Sequence, residues 1–350
     1  MSIVTDPNDP HVSVPRPYCV VLDANIWRSH LFLKTPVGVS LVYTLGREHA
    51  FLGLPEVVEM ELAEQVMEVG LEAAEQTKKW SRILATLTGS PFYPVALTEI
   101  DLGQIVPTQL SELTRILKRV PFTLAHAKAA LGMVNAKVPP NNENNQQFKD
   151  SAIWQAVLDL SREHAVHFVT NDRAFLADRG NPSKGLATNL KEDCIAANGS
   201  VAVYCDLGSC LAAISSNAPH FDHDHLKSLI ESFVTARLRG VAKQQHYEVK
   251  ELLGAEITAF RTADPSRVAM DFKLITRYEP DSSSQQDRGG EGRAETYGSC
   301  YYDPKSDSVV DGFVQEIRFL HRSPTWSGAH AREFSYEDPA IPFPRRVPWE

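Results

Sequence analysis

The sequence has few cysteines and no long apolar run, and these absences narrow the class of protein. Its 5 cysteines include no C-x-x-C pair and are odd in number. A disulfide framework or a structural zinc site is therefore not expected, and a reducing cytoplasm fits the composition. No hydrophobic stretch approaches the length that spans a bilayer, so we expect no membrane partner.

Basic residues are outnumbered by acidic ones. Lys and Arg total 35 against 44 Asp and Glu, which gives a net charge of −9. This charge argues against a protein that coats nucleic acid through its overall field, but it is compatible with an acidic metal pocket beside a local basic rim. For any one basic residue, a solvated position on a helix face is the simpler explanation. The candidates for such a rim are Lys78, Lys79, Arg82, Arg115, Lys118, Arg119, Lys149, Arg173 and Arg179.

The organisation of the chain suggests two domains, for which 350 residues suffice. Residues 18–215 alternate short β-rich runs with helical patterns, which predicts an α/β domain with a central parallel sheet. Residues 220–322 show a helix and then four consecutive strands from Glu256 onward, which predicts a smaller α+β domain with an antiparallel sheet. Residues 1–17 are predicted to be extended, and prolines indicate an extended tail at residues 323–350.

Two local predictions bear on the first domain. Residues 108–119 and 123–136 show patterns typical of helices. The polar run at residues 139–147 (PPNNENNQQ) has no periodicity, and we expect an exposed loop there.

Four carboxylates stand where they could meet at one point. Asp23 and Asp172 each follow a run that predicts a buried strand, while Glu61 and Asp150 lie near the starts of predicted helices. The carboxyl ends of parallel strands form the edge at which α/β sheets bind ligands. Carboxylates crowd together there only when a cation compensates them, and Mg²⁺ or Mn²⁺ accepts such oxygen ligands. For Asp150, a favourable interaction with the helix dipole is the simpler alternative.

Four motifs carry these acids: V-V-L-D-A-N from residue 20, L-P-E-V-V-E-M-E-L from residue 54, K-D-S-A-I-W from residue 149 and V-T-N-D-R from residue 169. In this order they resemble the PIN domain, a family of metal-dependent nucleases that act mostly on single-stranded RNA. The resemblance covers about residues 18–215 and implies a three-layer α/β fold. It also implies that the catalytic metal ligands are Asp23, Glu61, Asp150 and Asp172, with Asp23 bridging two ions.

The glutamate of this set is chosen between two neighbours. Glu61 is preferred to Glu59 because the family's glutamate precedes a leucine, and because positions 57 and 61 share one helix face. Asn25, Thr170 and Asn171 are candidates for holding the metal ligands through hydrogen bonds, although Asn171 could equally be a turn residue alone.

Two basic residues are candidates for contacting substrate phosphates. Lys149 precedes the first acid of its helix, and Arg173 directly follows Asp172. Arg173 could instead pair with Asp178 on the surface.

Three functions compete for this pattern. The first is a divalent-metal-dependent endoribonuclease that uses Mg²⁺ or Mn²⁺ on single-stranded RNA. The second is a phosphatase of the haloacid dehalogenase type, because the run V-V-L-D-A-N resembles the strand that carries the nucleophile in that family. Asn25, however, stands where that family needs a second Asp. The third is a catalytically quiet PIN scaffold that binds RNA or protein, against which the presence of all four acids argues. A regulatory protein or a second copy is expected to bind through residues 220–322.

Overall fold

A computed structural model of the chain describes residues 17–90, 99–179, 181–215, 222–244, 246–280, 292–321 and 332–337. Several predicted features lie outside these residues: the extended segment 1–17 apart from Pro17, the domain boundary at residues 216–219, and the tail 323–350 apart from residues 332–337.

Five short strands form a parallel sheet in the order β3-β2-β1-β4-β5. The strands are β1 (Tyr18–Leu22), β2 (Phe51–Pro55), β3 (Leu117–Val120), β4 (Ala165–Val169) and β5 (Ser200–Tyr204). The central strand β1 is an uninterrupted apolar run, and Cys19, Val20, Val21 and Leu22 are fully buried. Continuous apolar runs of this kind are typical of parallel strands inside an α/β domain.

Helices alternate with these strands along the chain. They are α1 (Ala24–Ser29), α2 (Pro36–Arg47), α3 (Glu56–Thr88), α4 (Glu99–Ser111), α5 (Leu124–Ala136), α6 (Phe148–Ser161), α7 (Thr188–Ala196) and α8 (Leu207–Ile214). α6 packs against β2, β4 and β5. Gly53 on β2 permits this close approach, because a Cβ at that position would lie 2.6 Å from the side chain of Leu160.

The second sheet follows one further helix, α9 (His223–Gln244). Its strands run antiparallel in chain order and are β6 (Tyr247–Arg261), β7 (Val268–Pro280), β8 (Gly292–Asp303), β9 (Ser308–His321) and β10 (Arg332–Glu337). The predicted fold class, a helix-flanked parallel sheet followed by a separate antiparallel sheet, is confirmed.

Contacts divide the chain into two compact units. The first holds the parallel sheet with α5, α6 and α7, and consists of the described residues up to Asp23, His49–Val58 and Ile116–Cys205. The second holds α1, α2, most of α3, α4, α8, α9 and the antiparallel sheet, and consists of Ala24–Glu48, Glu59–Arg115 and the described residues from Asp206 onward. The division into residues 18–215 and 220–322 stays a prediction.

In the second unit, the antiparallel sheet is packed by helices that are distant in sequence. α9 buries Ile230, Val234 and Leu238 in one hydrophobic core with Phe272 and Phe319 of the sheet. α2 contacts β6, β7 and β8, and α8 contacts α2 and β6. The second unit is therefore completed by α2, which lies in sequence between β1 and β2 of the first unit, and by α8, which follows the first unit.

A carboxyl pair lies where α8 meets this sheet. Asp206 caps α8, with Oδ1 accepting a hydrogen bond of 2.6 Å from Ser209 N. The Oδ2 atom of Asp271 on β7 fills the space that a Cβ on Gly208 would need, and Asp206 Oδ1 lies 3.4 Å from that same point. Desolvation, with the charge of Asp206, raises the pKa of Asp271 to about 8.

A buried histidine joins α1 to the same sheet. His30 Nδ1 lies 2.9 Å from Thr35 Oγ1 and 3.3 Å from Gln315 Nε2 of β9. Burial lowers the pKa of His30 to about 4, so its ring is neutral at physiological pH. The three residues that follow, Leu31, Phe32 and Leu33, all have left-handed φ angles of 50°, 55° and 64°, a conformation that costs about 1–2 kcal/mol per non-glycine residue.

Three strands differ from the sequence predictions. Residues 117–120 form strand β3, although a helix was predicted over residues 108–119. β6 begins at Tyr247 instead of Glu256, because its register shifts between Val249 and Gly254 break the alternation that marks a strand. β10 lies inside the predicted extended tail, and it pairs with β9.

Candidate functional site

The carboxyl ends of β1 and β4 form the centre of the candidate site in the first unit. The two strands are parallel neighbours, with Leu22 paired to Val169. The residues that follow them are therefore adjacent, and Asp23 N donates a hydrogen bond of 3.0 Å to Val169 O. Asp23 is buried, with 5% of its surface exposed. A carboxylate is thus fixed at the edge where α/β sheets bind ligands.

Thr170 connects Asp23 to the second acid of the site. Its hydroxyl donates to Asp23 Oδ2 at 2.9 Å and accepts from Asp172 N at 3.0 Å. A threonine hydroxyl has one proton and two acceptor lone pairs, so both contacts are satisfied at once. Thr170 is almost fully buried, and the rotation of its hydroxyl is fixed by these two partners.

Asp172 begins a short 3₁₀ turn, Arg173–Phe175. Its Oδ1 accepts a hydrogen bond of 2.8 Å from Ala174 N, and its Oδ2 accepts one of 3.1 Å from Gln147 Nε2. Gln147 directly precedes α6, whose first turn carries Asp150. The structure therefore brings Asp23 and Asp172 together through Thr170, and it ties the start of α6 to Asp172 through Gln147.

Gln147 is a residue that the sequence patterns did not single out. The loop that contains it is fixed by Asn141, whose Oδ1 accepts from Gln147 N at 2.6 Å and whose Nδ2 donates to Ser151 Oγ at 2.8 Å. Asn141 is 2% exposed, so the prediction of an exposed loop at residues 139–147 is wrong for this residue. A polar residue buried inside a polar run leaves no periodic signal by which to find it.

Glu61 and Asn25 belong to the second unit. Glu61 lies on α3 between the buried Val58 and Leu62, is 9% exposed, and its Oε1 accepts a hydrogen bond of 3.0 Å from Gln65 Nε2. Glu59 is half-buried. Asn25 lies in the first turn of α1 and is buried, and its Oδ1 has no hydrogen-bond partner in the described part of the chain.

The remaining predicted residues are exposed. Asn171 and Lys149 lie at the surface of the first unit. Arg173 is also exposed, and its Nη1 donates to the carbonyl oxygen of Arg179 at 3.1 Å. Asp178, the alternative partner predicted for Arg173, forms an ion pair of 2.7 Å with Lys184.

The oxygen atoms of the site are of the chemical types that bind a hard divalent cation. Asp23, Asp150 and Asp172 supply carboxylates, and Gln147 Oε1 is buried without a hydrogen-bond partner among the described residues. Carboxylate and amide oxygens are the ligands that such cations take. Within the described ranges, however, no three His, Cys, Asp or Glu side chains are positioned to hold one metal ion. The oxygens of Asp172 instead accept hydrogen bonds from Ala174 and Gln147.

A parallel sheet with an aspartate beyond each of two neighbouring strands defines an α/β domain with a ligand-binding edge. Residues 20–175 match the PIN domain family, so the predicted resemblance is confirmed over this segment. The matched segment contains all four predicted acids. The PIN domain is a nuclease fold, commonly of ribonucleases, and its members typically use divalent metal ions.

No curated protein and no solved structure matches the chain. Across the residues that the structure describes, no helix combines the length and the apolar character needed to cross a membrane.

Proposed function

We propose that the chain is a divalent-metal-dependent endoribonuclease that hydrolyses phosphodiester bonds of single-stranded RNA. One observation supports the proposal: at the carboxyl ends of neighbouring parallel strands, the Thr170 hydroxyl donates to the Asp23 carboxylate and accepts from the backbone N–H of Asp172. All three residues lie inside the segment that matches the PIN domain. Asp23, Glu61, Asp150 and Asp172 are the proposed catalytic ligands, and Mg²⁺ or Mn²⁺ is the proposed ion.

The residues of the first unit have distinct roles in this proposal. Asp23 provides the central charge, because it is the most enclosed carboxylate at the strand ends. Thr170 holds the orientation of Asp23 through its hydroxyl, as groups behind a metal ligand generally do. A bound divalent ion would lower the pKa of a water molecule and stabilise the leaving oxygen of the phosphodiester. Lys149 and Arg173 are exposed cations, and their proposed role is to contact substrate phosphates.

Asp23→Asn is the most informative variant. It keeps the shape of the side chain and removes its charge, so we expect cleavage of single-stranded RNA to be lost while the protein stays folded. The measurement is cleavage of a labelled RNA across a titration of Mg²⁺ and of Mn²⁺. Asp224→Asn, the same change at an exposed position in the first turn of α9, is the matched control and should cleave like the wild type.

Hydrolysis of a phosphomonoester and binding of RNA, measured beside RNA cleavage, separate the alternatives. Hydrolysis of a phosphomonoester without cleavage of RNA would favour the phosphatase interpretation. RNA binding without any metal-dependent cleavage would favour a catalytically quiet scaffold. Equal RNA cleavage by wild type and Asp23→Asn would remove Asp23 from the mechanism.

Binding of a regulatory protein or of a second copy through residues 220–322 remains a prediction from the organisation of the sequence, as does a cytoplasmic location.

A further inference from the structure

Two phenylalanines of the first unit lie at the same edge of the parallel sheet as the candidate site. Phe122 follows the carboxyl end of β3 by two residues, and Phe148 is the first residue of α6. Their ring centroids are 6.4 Å apart, and the ring planes are nearly perpendicular, at 86°. Phe148 is 41% exposed and Phe122 is partly exposed. We call these two residues the Phe122–Phe148 pair. Single exposed apolar residues are common, but a paired set beside a binding edge points to a ligand-contacting surface.

A continuous series of contacts joins the Phe122–Phe148 pair to the candidate site. Gln147 Nε2 donates a hydrogen bond of 3.1 Å to Asp172 Oδ2, and Phe148 is the next residue in the chain, so the Cα atoms of Gln147 and Phe148 lie about 3.8 Å apart. In the sheet, β2 separates β3 from β1. Because neighbouring strands lie about 4.8 Å apart, the residues that follow β3 are about 10 Å along the edge from Asp23. This distance is about three nucleotides at the rise of about 3.4 Å per nucleotide of a stacked strand, and fewer in an extended one.

The Phe122–Phe148 pair is held in place by its neighbours. Phe122 N donates a hydrogen bond of 2.6 Å to Oε2 of Glu56, the first residue after β2. The Phe122 ring centroid also lies 6.4 Å from that of the buried His126. His126 Nε2 in turn lies 2.7 Å from Asp159 Oδ2 on α6. A surface whose side chains are already ordered loses less entropy when a ligand lies on it.

We infer that the Phe122–Phe148 pair stacks on a nucleobase of the single-stranded RNA substrate, within about three nucleotides of the phosphate held at Asp23. Phe148 provides the stacking ring, since it is the more exposed of the two, and Phe122 packs against it. Aromatic rings bind bases of any sequence, because every base has a π face. The inference rests on the proposed function and deepens it, because it assigns a base-contacting subsite to the same edge of the sheet.

Area and charge favour a nucleobase over a protein as the occupant. A phenylalanine buries at most about 150–250 Å², and less than half of Phe148 is exposed. Even with Leu124, which is exposed two residues after Phe122, the apolar surface is far smaller than the roughly 800 Å² per partner of a stable protein interface. The net charge of −9 limits the affinity that phosphate contacts alone can give. A base contact adds affinity that does not depend on that charge.

The test measures binding without cleavage. The full-length Asp23→Asn chain is titrated in EDTA against a fluorescent single-stranded RNA, and anisotropy is followed at several salt concentrations. Adding Phe148→Leu, which removes the ring and keeps an apolar side chain, should weaken binding about tenfold. Adding Phe148→Trp instead provides a larger ring, and binding should be at least as tight as with Phe148. The slope of log affinity against log salt should stay unchanged in both, because no phosphate contact is removed.

An abasic strand identifies the contact as stacking on a base. A stable abasic oligonucleotide of the same length keeps the phosphates and lacks every base. The tenfold effect of Phe148→Leu should vanish on this strand, because there is no base for the ring to contact. A loss that appears only when both the ring and the bases are present to begin with is the signature of a direct interaction between them.

Matched controls change exposed side chains of the same chemistry elsewhere. Ile195→Ala replaces an exposed apolar side chain on α7 in the same unit, and Trp80→Leu replaces an exposed aromatic ring on α3. Both should leave the affinity for RNA unchanged. Thermal unfolding is measured for every variant, and Phe148→Trp gives a second reading of the ring if Phe148→Leu lowers stability.

The outcomes distinguish this inference from the proposed function. Unchanged affinity for base-bearing RNA in Phe148→Leu would overturn the inference, even if the wild type cleaves RNA. A loss that is equally large on the abasic strand would overturn it as well, and so would failure of the Asp23→Asn chain to bind RNA at any salt concentration. A loss confined to base-bearing RNA supports it, even if the wild type shows no cleavage. Sedimentation in which Phe148→Leu converts a dimer to a monomer, with RNA affinity unchanged, would assign the pair to self-association and overturn the inference.

Discussion

Replacing Thr170 by Val tests the central geometry of the candidate site. The change retains the β-branched shape and removes the hydroxyl that joins Asp23 Oδ2 to Asp172 N. A hydrogen bond to a charged group contributes about 1.5–3 kcal/mol and a neutral one about 0.5–1.5 kcal/mol. Since Thr170 is buried, water cannot replace these bonds without opening the site. We expect Thr170→Val to lower the free energy of unfolding by about 2–4 kcal/mol.

The assay is urea unfolding in the absence of divalent metal, followed by a titration of cleavage activity with Mg²⁺. Removing a group that orients a metal ligand typically weakens metal affinity about 10–100-fold, so the metal concentration for half-maximal cleavage should rise by that factor. Thr170→Ser keeps the hydroxyl and should restore most of the metal affinity. A purely structural role for Thr170 would lower stability without this selective effect on the metal requirement.

Thr276→Val is the matched control for Thr170→Val. Thr276 is also a buried threonine in a strand environment, but its hydroxyl contacts Ala294 O at a long 3.4 Å. We expect a loss of less than about 1 kcal/mol there. If Thr170→Val costs no more stability than Thr276→Val and leaves the metal titration unchanged, the hydroxyl does not hold the two acids and the reasoning is refuted.

Three further predictions concern single side chains. Because the pKa of Asp271 is raised to about 8, the folded state keeps a proton that the unfolded state has lost, and the free energy of unfolding falls by about 1.4 kcal/mol per pH unit as pH rises from about 4 to 8. In urea unfolding, Asp271→Asn should lack this decrease. Parallel pH profiles for the variant and the wild type would contradict the raised pKa. Because the pKa of His30 is lowered to about 4, the unfolded state binds a proton before the folded state does, and the free energy of unfolding falls as pH drops from about 6.5 to 4. His30→Gln should remove this loss of stability. Equal acid sensitivity of the variant and the wild type in the same unfolding assay would refute the prediction. Gln147→Ala should raise the Mg²⁺ concentration needed for cleavage, because Gln147 contacts Asp172, while Gln155→Ala within α6 should not. Equal metal titrations for both would show that the Gln147 amide plays no part.

The central part of the candidate site could be predicted because local rules determine it. Apolar runs before Asp23 and Asp172 indicate buried strands, and parallel strands bring their carboxyl ends to one edge. Thr170 was predicted to support a metal ligand, and it hydrogen-bonds Asp23. The contact of Gln147 with Asp172 could not be predicted, because it depends on the path of a loop. That path is fixed by Asn141, which hydrogen-bonds Ser151 ten residues further along the chain.

The misassigned strand has a physical reason of its own. β3 is an edge strand of four residues, and Lys118 and Arg119 in it are exposed. Short edge strands with charged side chains avoid edge-to-edge association, and this composition also resembles the polar face of a helix. Amphipathic helices such as α2 present a further limit, since their pattern shows which face is buried but not which sheet covers it.

The packing of α2 against the antiparallel sheet has a consequence for how the protein is made. Leu41 and Leu45 are fully buried in the finished unit, yet β7 and β8, which α2 contacts, are synthesised more than two hundred residues later. His30 and its partner Gln315 are separated by 285 positions, an interval of about 15–60 seconds at typical ribosomal rates of about 5–20 residues per second. During that interval the apolar face of α2 emerges from the ribosome without the strands that will cover it. The earliest helices of the second unit therefore reach their final environment only near the end of translation, and a nascent chain in this state is a natural client for chaperones that hold exposed apolar segments.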